Sequence, residues 1–308
     1  MVAPDGGDEF QGDGVAMVRD EAMQFLLPVT LEEALQRKAE FGERGRFVAG
    51  GTDLVLQVGS GRHSPEALIR LPVDEAEPVL AGGRLRISAF TRLRILERHP
   101  LLMEHAPLLA EAIAQIGSPQ IRWAGTLGGN LGNASPAADS VPPLLVYGAE
   151  IEVASVGGTR LVAVEDFFTG PGRTVLAADE AIVAVSVPLE LGTHVALFRK
   201  FGARGANVIS SASFAARIVL AGDTITEARL AAGSVAPRPI RLPQTEAALE
   251  GLARQDFLRP ETTRDLAATL AAEVTPISDV RGSAWYKGQV VNHCLQYLAD
   301  QLRPRQDG

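Results

Sequence analysis

The sequence predicts an α+β fold in three parts: a small α/β lobe, a larger sheet-containing lobe, and a C-terminal domain of antiparallel sheet and helices. Three observations carry this. Before residue 75 a helical segment lies between short apolar runs, from residue 76 paired glycines separate alternating strands, and after residue 194 long alternating runs give way to helical periodicity. The 308 residues, 46% of them hydrophobic, suffice for two compact domains with their own cores. The spacing puts these at 23–192, with lobes of about 23–75 and 76–192, and at 193–304. Residues 1–22 mix glycines with Asp5, Asp8, Glu9, Asp13 and Asp20, the composition of a disordered acidic tail.

In the first lobe, Thr30 and Glu33 form a capping-box pattern for a helix carrying Leu31, Ala34, Leu35 and Phe41. Residues 46–49 read as a strand running into Gly50-Gly51-Thr52-Asp53, and 67–71 as another. In the second lobe, Gly82-Gly83 and Gly157-Gly158 join antiparallel hairpins, helices are expected at 91–99 and 107–116, and a strand at 181–187 closes the region. The third region begins near 194. Its strand sets Phe214, Ala216, Ile218 and Leu220 on one face, 225–235 pairs with it, and helices follow at 244–252, 260–273 and 283–301.

Composition excludes several functions. A net charge of -8 and a pI near 5.3 oppose nucleic-acid binding, which needs a surplus of Lys and Arg. Cys294 is the only cysteine, so the chain alone makes no disulfide and no cysteine-ligated cluster; it reads as a small hydrophobe on the last helix. His63, His99, His105, His194 and His293 show no metal-ligand spacing. No apolar run approaches the ~18 residues of a membrane span, and the N-terminus lacks a secretory pattern, so a cytoplasmic protein is expected.

Two segments carry chemistry. The first is Val48-Ala49-Gly50-Gly51-Thr52-Asp53-Leu54, where a strand ends in two glycines whose amides can face a phosphate. Alone, it also reads as a tight turn between strand and helix, since short glycine motifs match by chance. The second is 125–140, with four glycines in eight positions and hydrogen-bonding groups on Thr126, Asn130, Asn133, Ser135 and Asp139. Such a stretch is costly to order unless a ligand satisfies it, though a polar surface loop has the same composition. Two phosphate-friendly segments suggest one extended ligand with a central diphosphate. Neither has the Gly-Lys-Ser/Thr ending of a P-loop or the G-x-G-x-x-G of a Rossmann site.

Taken together, these segments resemble the paired FAD signatures of the molybdenum hydroxylase flavoprotein subunits, the medium chains of the xanthine dehydrogenase and carbon monoxide dehydrogenase type. The A-G-G-T-D-L block stands at 49–54 and a T-I-G-G-N-I-A-N-A-S-P-A-x-D-S block, with conservative changes, at 126–140. Phe167-Phe168-Thr169-Gly170, Phe198-Arg199-Lys200, Gly233-Ser234-Val235-Ala236-Pro237 and Asp279-Val280-Arg281-Gly282-Ser283-Ala284-Trp285-Tyr286 match further family motifs in order, so the resemblance runs from Phe25 almost to the end.

The resemblance implies a two-lobed FAD-binding domain followed by the C-terminal domain. By position, Phe47, Val48, Ala49, Gly50, Gly51, Thr52, Asp53 and Leu54 form the first FAD loop, with the Gly50 and Gly51 amides at the diphosphate. Thr126, Gly128, Gly129 and Asn130 form the second, with Asn133 and Ser135 beside them, and Asp139 accepts hydrogen bonds from the cofactor. Leu176 is an apolar contact near the flavin and Lys200 a basic residue at it, where a cation stabilises the reduced form. Ile116 stands where some members place an aromatic ring on the isoalloxazine. No catalytic residue and no metal site is expected in this chain. The molybdenum cofactor and two [2Fe-2S] clusters are expected in a large and a small partner subunit, in a dimer of heterotrimers, with FAD passing electrons to an external acceptor. The competing reading is a stand-alone FAD oxidoreductase related to UDP-N-acetylenolpyruvoylglucosamine reductase. That enzyme needs its own acid and cations after the FAD loops, where this chain offers Arg199, Lys200 and Arg204.

Overall fold

A computed structural model describes residues 23–73, 76–189, 194–202 and 209–303; the tail expected at 1–22 and Arg204 lie outside them. The first lobe runs β1 (Gln24–Leu26), α1 (Leu31–Phe41), β2 (Gly45–Val48), α2 (Leu54–Gly59) and β3 (Ala67–Arg70), and its strands form a parallel sheet in the order β1-β3-β2. The capping box forms as read. Thr30 Oγ1 accepts the Glu33 amide at 3.1 Å, and the Glu33 carboxylate reaches back to the Val29 amide at 2.8 Å. Helix α1 then buries Ala34 and Leu35 against the sheet.

The second lobe opens with the hairpin β4 (Val79–Ala81) and β5 (Arg84–Ser88). Six short helices follow: α3 (Leu93–Leu96), α4 (Pro100–His105), α5 (Pro107–Ala114), α6 (Pro119–Ala124), α7 (Leu127–Gly132) and α8 (Val141–Val146). The single helix expected at 91–99 is shorter than read. His99, preceding Pro100, adopts an extended conformation (ψ 128°), because a proline disfavours the helical region for the residue before it. The lobe ends with β6 (Glu150–Ser155), β7 (Gly158–Ala163), α9 (Val164–Phe167), β8 (Phe168–Gly170), β9 (Arg173–Thr174) and β10 (Ala181–Pro188). Its antiparallel sheet has the order β4-β5-β10-β6-β7. The strand read as closing the lobe is therefore the centre of its sheet, which is why Ala181–Val185 is buried without alternation.

The C-terminal part holds β11 (His194–Phe201), β12 (Ala212–Ala221), β13 (Thr224–Gly233) and β14 (Ile240–Arg241) in sequential antiparallel order, then α10 (Pro243–Leu249), α11 (Arg254–Phe257), α12 (Pro260–Glu273) and α13 (Ala284–Gln301). Side-chain alternation divides this sheet between two cores. Phe214, Ala216, Ile218, Leu230 and Ala232 pack with Leu266, Val291, Cys294, Leu295 and Leu298 on the helical side. Phe198, Ala215 and Ala231 belong to the other core, with Val141, Leu144 and Leu145 of α8. Each large aliphatic side chain buried there contributes about 1.5–3 kcal/mol relative to exposure, so α8 fixes the C-terminal sheet beside the second glycine segment. Cys294 is buried as read, and burial pushes its thiol up to about 12.

Candidate flavin site

The two glycine segments, 75 residues apart in sequence, meet in space. A Cβ on Gly50 would lie 1.9 Å from the Ala124 carbonyl oxygen, so no side chain fits between the first segment and the start of the second. Gly51 has φ +70°, the left-handed turn that leads from β2 into α2. Farther along, Gln57 of α2 donates to Asn133 Oδ1 at 2.9 Å. Close backbone approach at one end and a side-chain hydrogen bond at the other hold the first lobe against the second.

What each segment offers a ligand differs from the symmetric picture drawn from sequence. The amides of Gly50, Gly51, Thr52 and Asp53 find no acceptor among the described residues. Four consecutive N–H groups without an acceptor at a strand-to-helix turn are available to an anion. In the second segment the amides are already committed: Leu127 to Thr91 O, Gly128 to Ala89 O at 2.8 Å, Gly129 to Thr126 Oγ1 at 3.0 Å and Asn130 to Thr126 O. Here Leu127–Gly132 is a helix, capped by the buried Thr126, rather than a loop. Gly128 is required for packing, since a Cβ there would fall 2.7 Å from Ala89 Cβ. Ser135 Oγ accepts the Ala137 amide, and Asn130 Oδ1 accepts Ser140 Oγ at 2.6 Å, so both side chains shape the segment from within. Between them Ala134 takes φ +47°, a conformation costing a non-glycine residue of order 1–3 kcal/mol.

Asp139 and Lys200 meet at the end of β11, whereas Leu176 and Phe47 lie elsewhere along the core. Lys200 Nζ lies 2.7 Å from Asp139 Oδ2, with both side chains only 5% exposed, and donates to the Gln115 carbonyl at 2.7 Å. A solvated lysine at a strand end is thereby excluded. Ser210 Oγ donates to Asp139 Oδ1. Burial raises the Asp139 carboxyl above its ordinary range, while the Lys200 charge and the hydrogen bonds from Lys200 and Ser210 pull it back. Desolvating two charges costs several kcal/mol per ion, so this pair adds little net stability over an apolar pair; it is a built polar feature.

Ile116 follows Gln115 directly and is half-buried against the core; the Arg122 guanidinium holds its carbonyl at 3.0 Å. Leu176, also half-buried, sits in a turn clamped by Arg160, which donates to the Val175 carbonyl and to both Glu180 oxygens. Phe47 packs on the core with Lys38 Nζ 5.8 Å from its ring centre. Sequence reasoning missed Gln57, the Gln115 carbonyl and Ser210. Polar residues at those positions carry no local signal, because their partners are 76, 85 and 71 residues away. Among the described residues no group of three or more His, Cys, Asp or Glu could hold a metal, and no helix is long and apolar enough to cross a membrane.

These features fit a dinucleotide flavin. Unpaired amides suit a diphosphate, side-chain-free backbone permits its close approach, and a carboxylate, a lysine and half-buried aliphatics suit a ring system with polar and apolar edges. Residues 21–190 match the family model described as "FAD binding domain in molybdopterin dehydrogenase", and residues 196–302 that of the "CO dehydrogenase flavoprotein C-terminal domain". The xanthine dehydrogenase FAD-binding subunit of Escherichia coli O157:H7 is 32% identical over 266 residues, covering 84% of this chain and 88% of that one. The nicotinate dehydrogenase FAD-subunit of Eubacterium barkeri is 30% identical, covering 92% and 97%. Among solved structures, a chain of the carbon monoxide dehydrogenase of Hydrogenophaga pseudoflava superposes with a TM-score of 0.84 at 27% identity, covering 89% of this chain and 95% of its own. The two-part α+β architecture, the matched models and these relatives place the chain in the family of FAD-binding flavoprotein subunits of molybdopterin dehydrogenases, as an oxidoreductase subunit whose cofactor is FAD.

Proposed function

We propose that this chain is the electron-transfer flavoprotein of a cytoplasmic molybdenum hydroxylase. It takes electrons from [2Fe-2S] clusters of a small partner subunit and passes them to an external acceptor, while a large molybdopterin-binding subunit oxidises the substrate; the assembly is a dimer of heterotrimers. The observation that carries this reading is the meeting of residues 50–53, whose four amides have no acceptor among the described residues, with residues 124–133 at one contact between the lobes. Bound there, FAD supplies the two-electron redox chemistry. The chain's own part is binding and electrostatics. Within residues 47–54 the amides of 50–53 hold the diphosphate, and Thr126, Gly128, Gly129, Asn130, Asn133 and Ser135 form the second FAD segment beside them. Asp139 and Lys200 set the local charge at the ring system, with Leu176 and Ile116 as its apolar contacts.

The test is purification of a tagged chain from its native cells, with flavin, iron and molybdenum measured in the product. Flavin, molybdenum and iron in a ratio of about one, one and four per chain, with two further polypeptides, is the expected result. A flavoprotein that completes substrate turnover as a single chain, without iron or molybdenum, refutes the assignment.

A further inference from the structure

We propose that Ser210 is a positioning residue of the flavin site: its hydroxyl, delivered by the C-terminal domain, orients the Asp139 carboxylate so that the opposite oxygen engages Lys200. The proposal rests on the reading that Asp139 and Lys200 face the flavin. Ser210 is completely buried, and its Oγ donates to Asp139 Oδ1 while Lys200 takes Oδ2. The carboxylate is therefore held at both oxygens, by Lys200 on β11 and by Ser210 just before β12. With Ser210 removed, one oxygen of a buried carboxylate loses the hydroxyl donor it has among the described residues, and the group is free to rotate about its Cβ–Cγ bond away from Lys200.

The serine is itself held with care. Ser234 Oγ donates to the Ser210 carbonyl at 3.0 Å, and the Ser234 amide donates to the Pro136 carbonyl at 2.8 Å. Ser234 makes these bonds from φ +64°, a conformation a non-glycine side chain keeps only where its surroundings impose it. The neighbouring Ser211 amide bonds the Phe201 carbonyl at 2.7 Å, and its hydroxyl bonds the Arg281 carbonyl at 2.6 Å. The Arg281 turn is tied down in turn: Lys287, 1% exposed, pairs with Asp279 at 2.9 Å and donates to the Ile277 carbonyl at 3.0 Å. A continuous set of bonds thus runs from α13 through the Asp279–Ser283 turn to Ser210 and Asp139. Family-motif residues 279–283 and 233–237, which bond Ser211, Ser210 and the Pro136 carbonyl, acquire a purpose as the frame of this arrangement.

The test uses the complete purified flavoprotein and reads the two-electron potential and the visible spectrum of its bound FAD in wild type, Ser210→Ala, Asp139→Asn, Lys200→Met and Thr245→Val. Thr245 is the control for deleting a buried hydroxyl that bonds a carboxylate, since it is completely buried on α10 and its Oγ1 donates to Glu273 at 2.6 Å. Ser210→Ala is expected to move the potential in the same direction as Asp139→Asn but less far, with a matching change in the flavin bands, while Thr245→Val leaves both at wild type. Ser210→Cys, close in shape and a weak donor, gives the same shift and covers the case in which the alanine protein does not accumulate. A wild-type potential and spectrum in both Ser210 variants, with Lys200→Met shifted, overturns the role of Ser210 and leaves the flavin-facing pair standing. No shift in Lys200→Met or Asp139→Asn either overturns the pair's assignment and the proposal together.

Discussion

Replacing Gly50 with alanine drives a methyl group into the backbone of the second segment. The added carbon lies 1.9 Å from the Ala124 oxygen, 2.5 Å from the Ala124 carbonyl carbon and 2.9 Å from Gly125 Cα, none of which belongs to a side chain that can swing away. The two segments have to part by roughly 1 Å before such a contact is tolerable, and overpacking of this kind costs about 1–3 kcal/mol. Because the displacement parts the two glycine segments that would hold the cofactor, most of that cost falls on cofactor binding: about 1.4 kcal/mol is a tenfold rise in Kd, and the upper end approaches 200-fold. Gly59→Ala is the matched control, at the end of the adjoining α2, where an added Cβ meets nothing within 4 Å. Fluorescence titration of the FAD-free proteins with FAD, paired with thermal unfolding, separates the effects. Wild-type FAD affinity in Gly50→Ala refutes the contact of the two segments as the binding site; equal weakening in Gly59→Ala refutes the steric argument.

Other perturbations give independent checks. Lys200→Met leaves the Asp139 carboxylate buried without its ion partner, so the FAD-free protein loses about 3–5 kcal/mol in urea unfolding at neutral pH, and Asp139→Asn in the same chain recovers part of it; an unchanged midpoint contradicts the buried pair. The Glu180 carboxyl is held below its ordinary range, chiefly by hydrogen bonds from Arg160. A depressed folded-state value means that its contribution is complete above the ordinary carboxylate range and is lost as pH falls through the lowered value. With Arg160 44% exposed the effect is under about 1 kcal/mol, and Glu180→Gln flattens the acid limb of thermal unfolding by that amount. Lys287→Met removes the bond to the Ile277 carbonyl and the pair with Asp279, costing about 1–3 kcal/mol and speeding hydrogen exchange in residues 277–283.

Local rules made much of the fold legible. Thr30 and Glu33 announce α1, paired glycines announce both hairpins, and the alternation from Phe214 to Ile218 identifies a sheet face that does pack on the helices. The site was legible as two glycine blocks, but their chemistry was not. Nothing local distinguishes Gly50, which excludes a side chain so that two lobes can touch, from Gly128, which does the same for Ala89 inside one lobe. Helix α7 went unread because glycine is a poor helix former; its packing against Ala89–Thr91 overrides that propensity. The Asp139–Lys200–Ser210 cluster joins three segments through tertiary contacts alone, and no periodicity or cap signals such a pairing.

The seat of the cofactor is tested most directly by amide hydrogen exchange of the FAD-free protein with and without added FAD. Slowed exchange at Gly50 to Asp53 on binding, with little change at Leu127 to Asn130 whose amides are already bonded, is the expected result. Saturating FAD that leaves the exchange of residues 50–53 unaltered contradicts it.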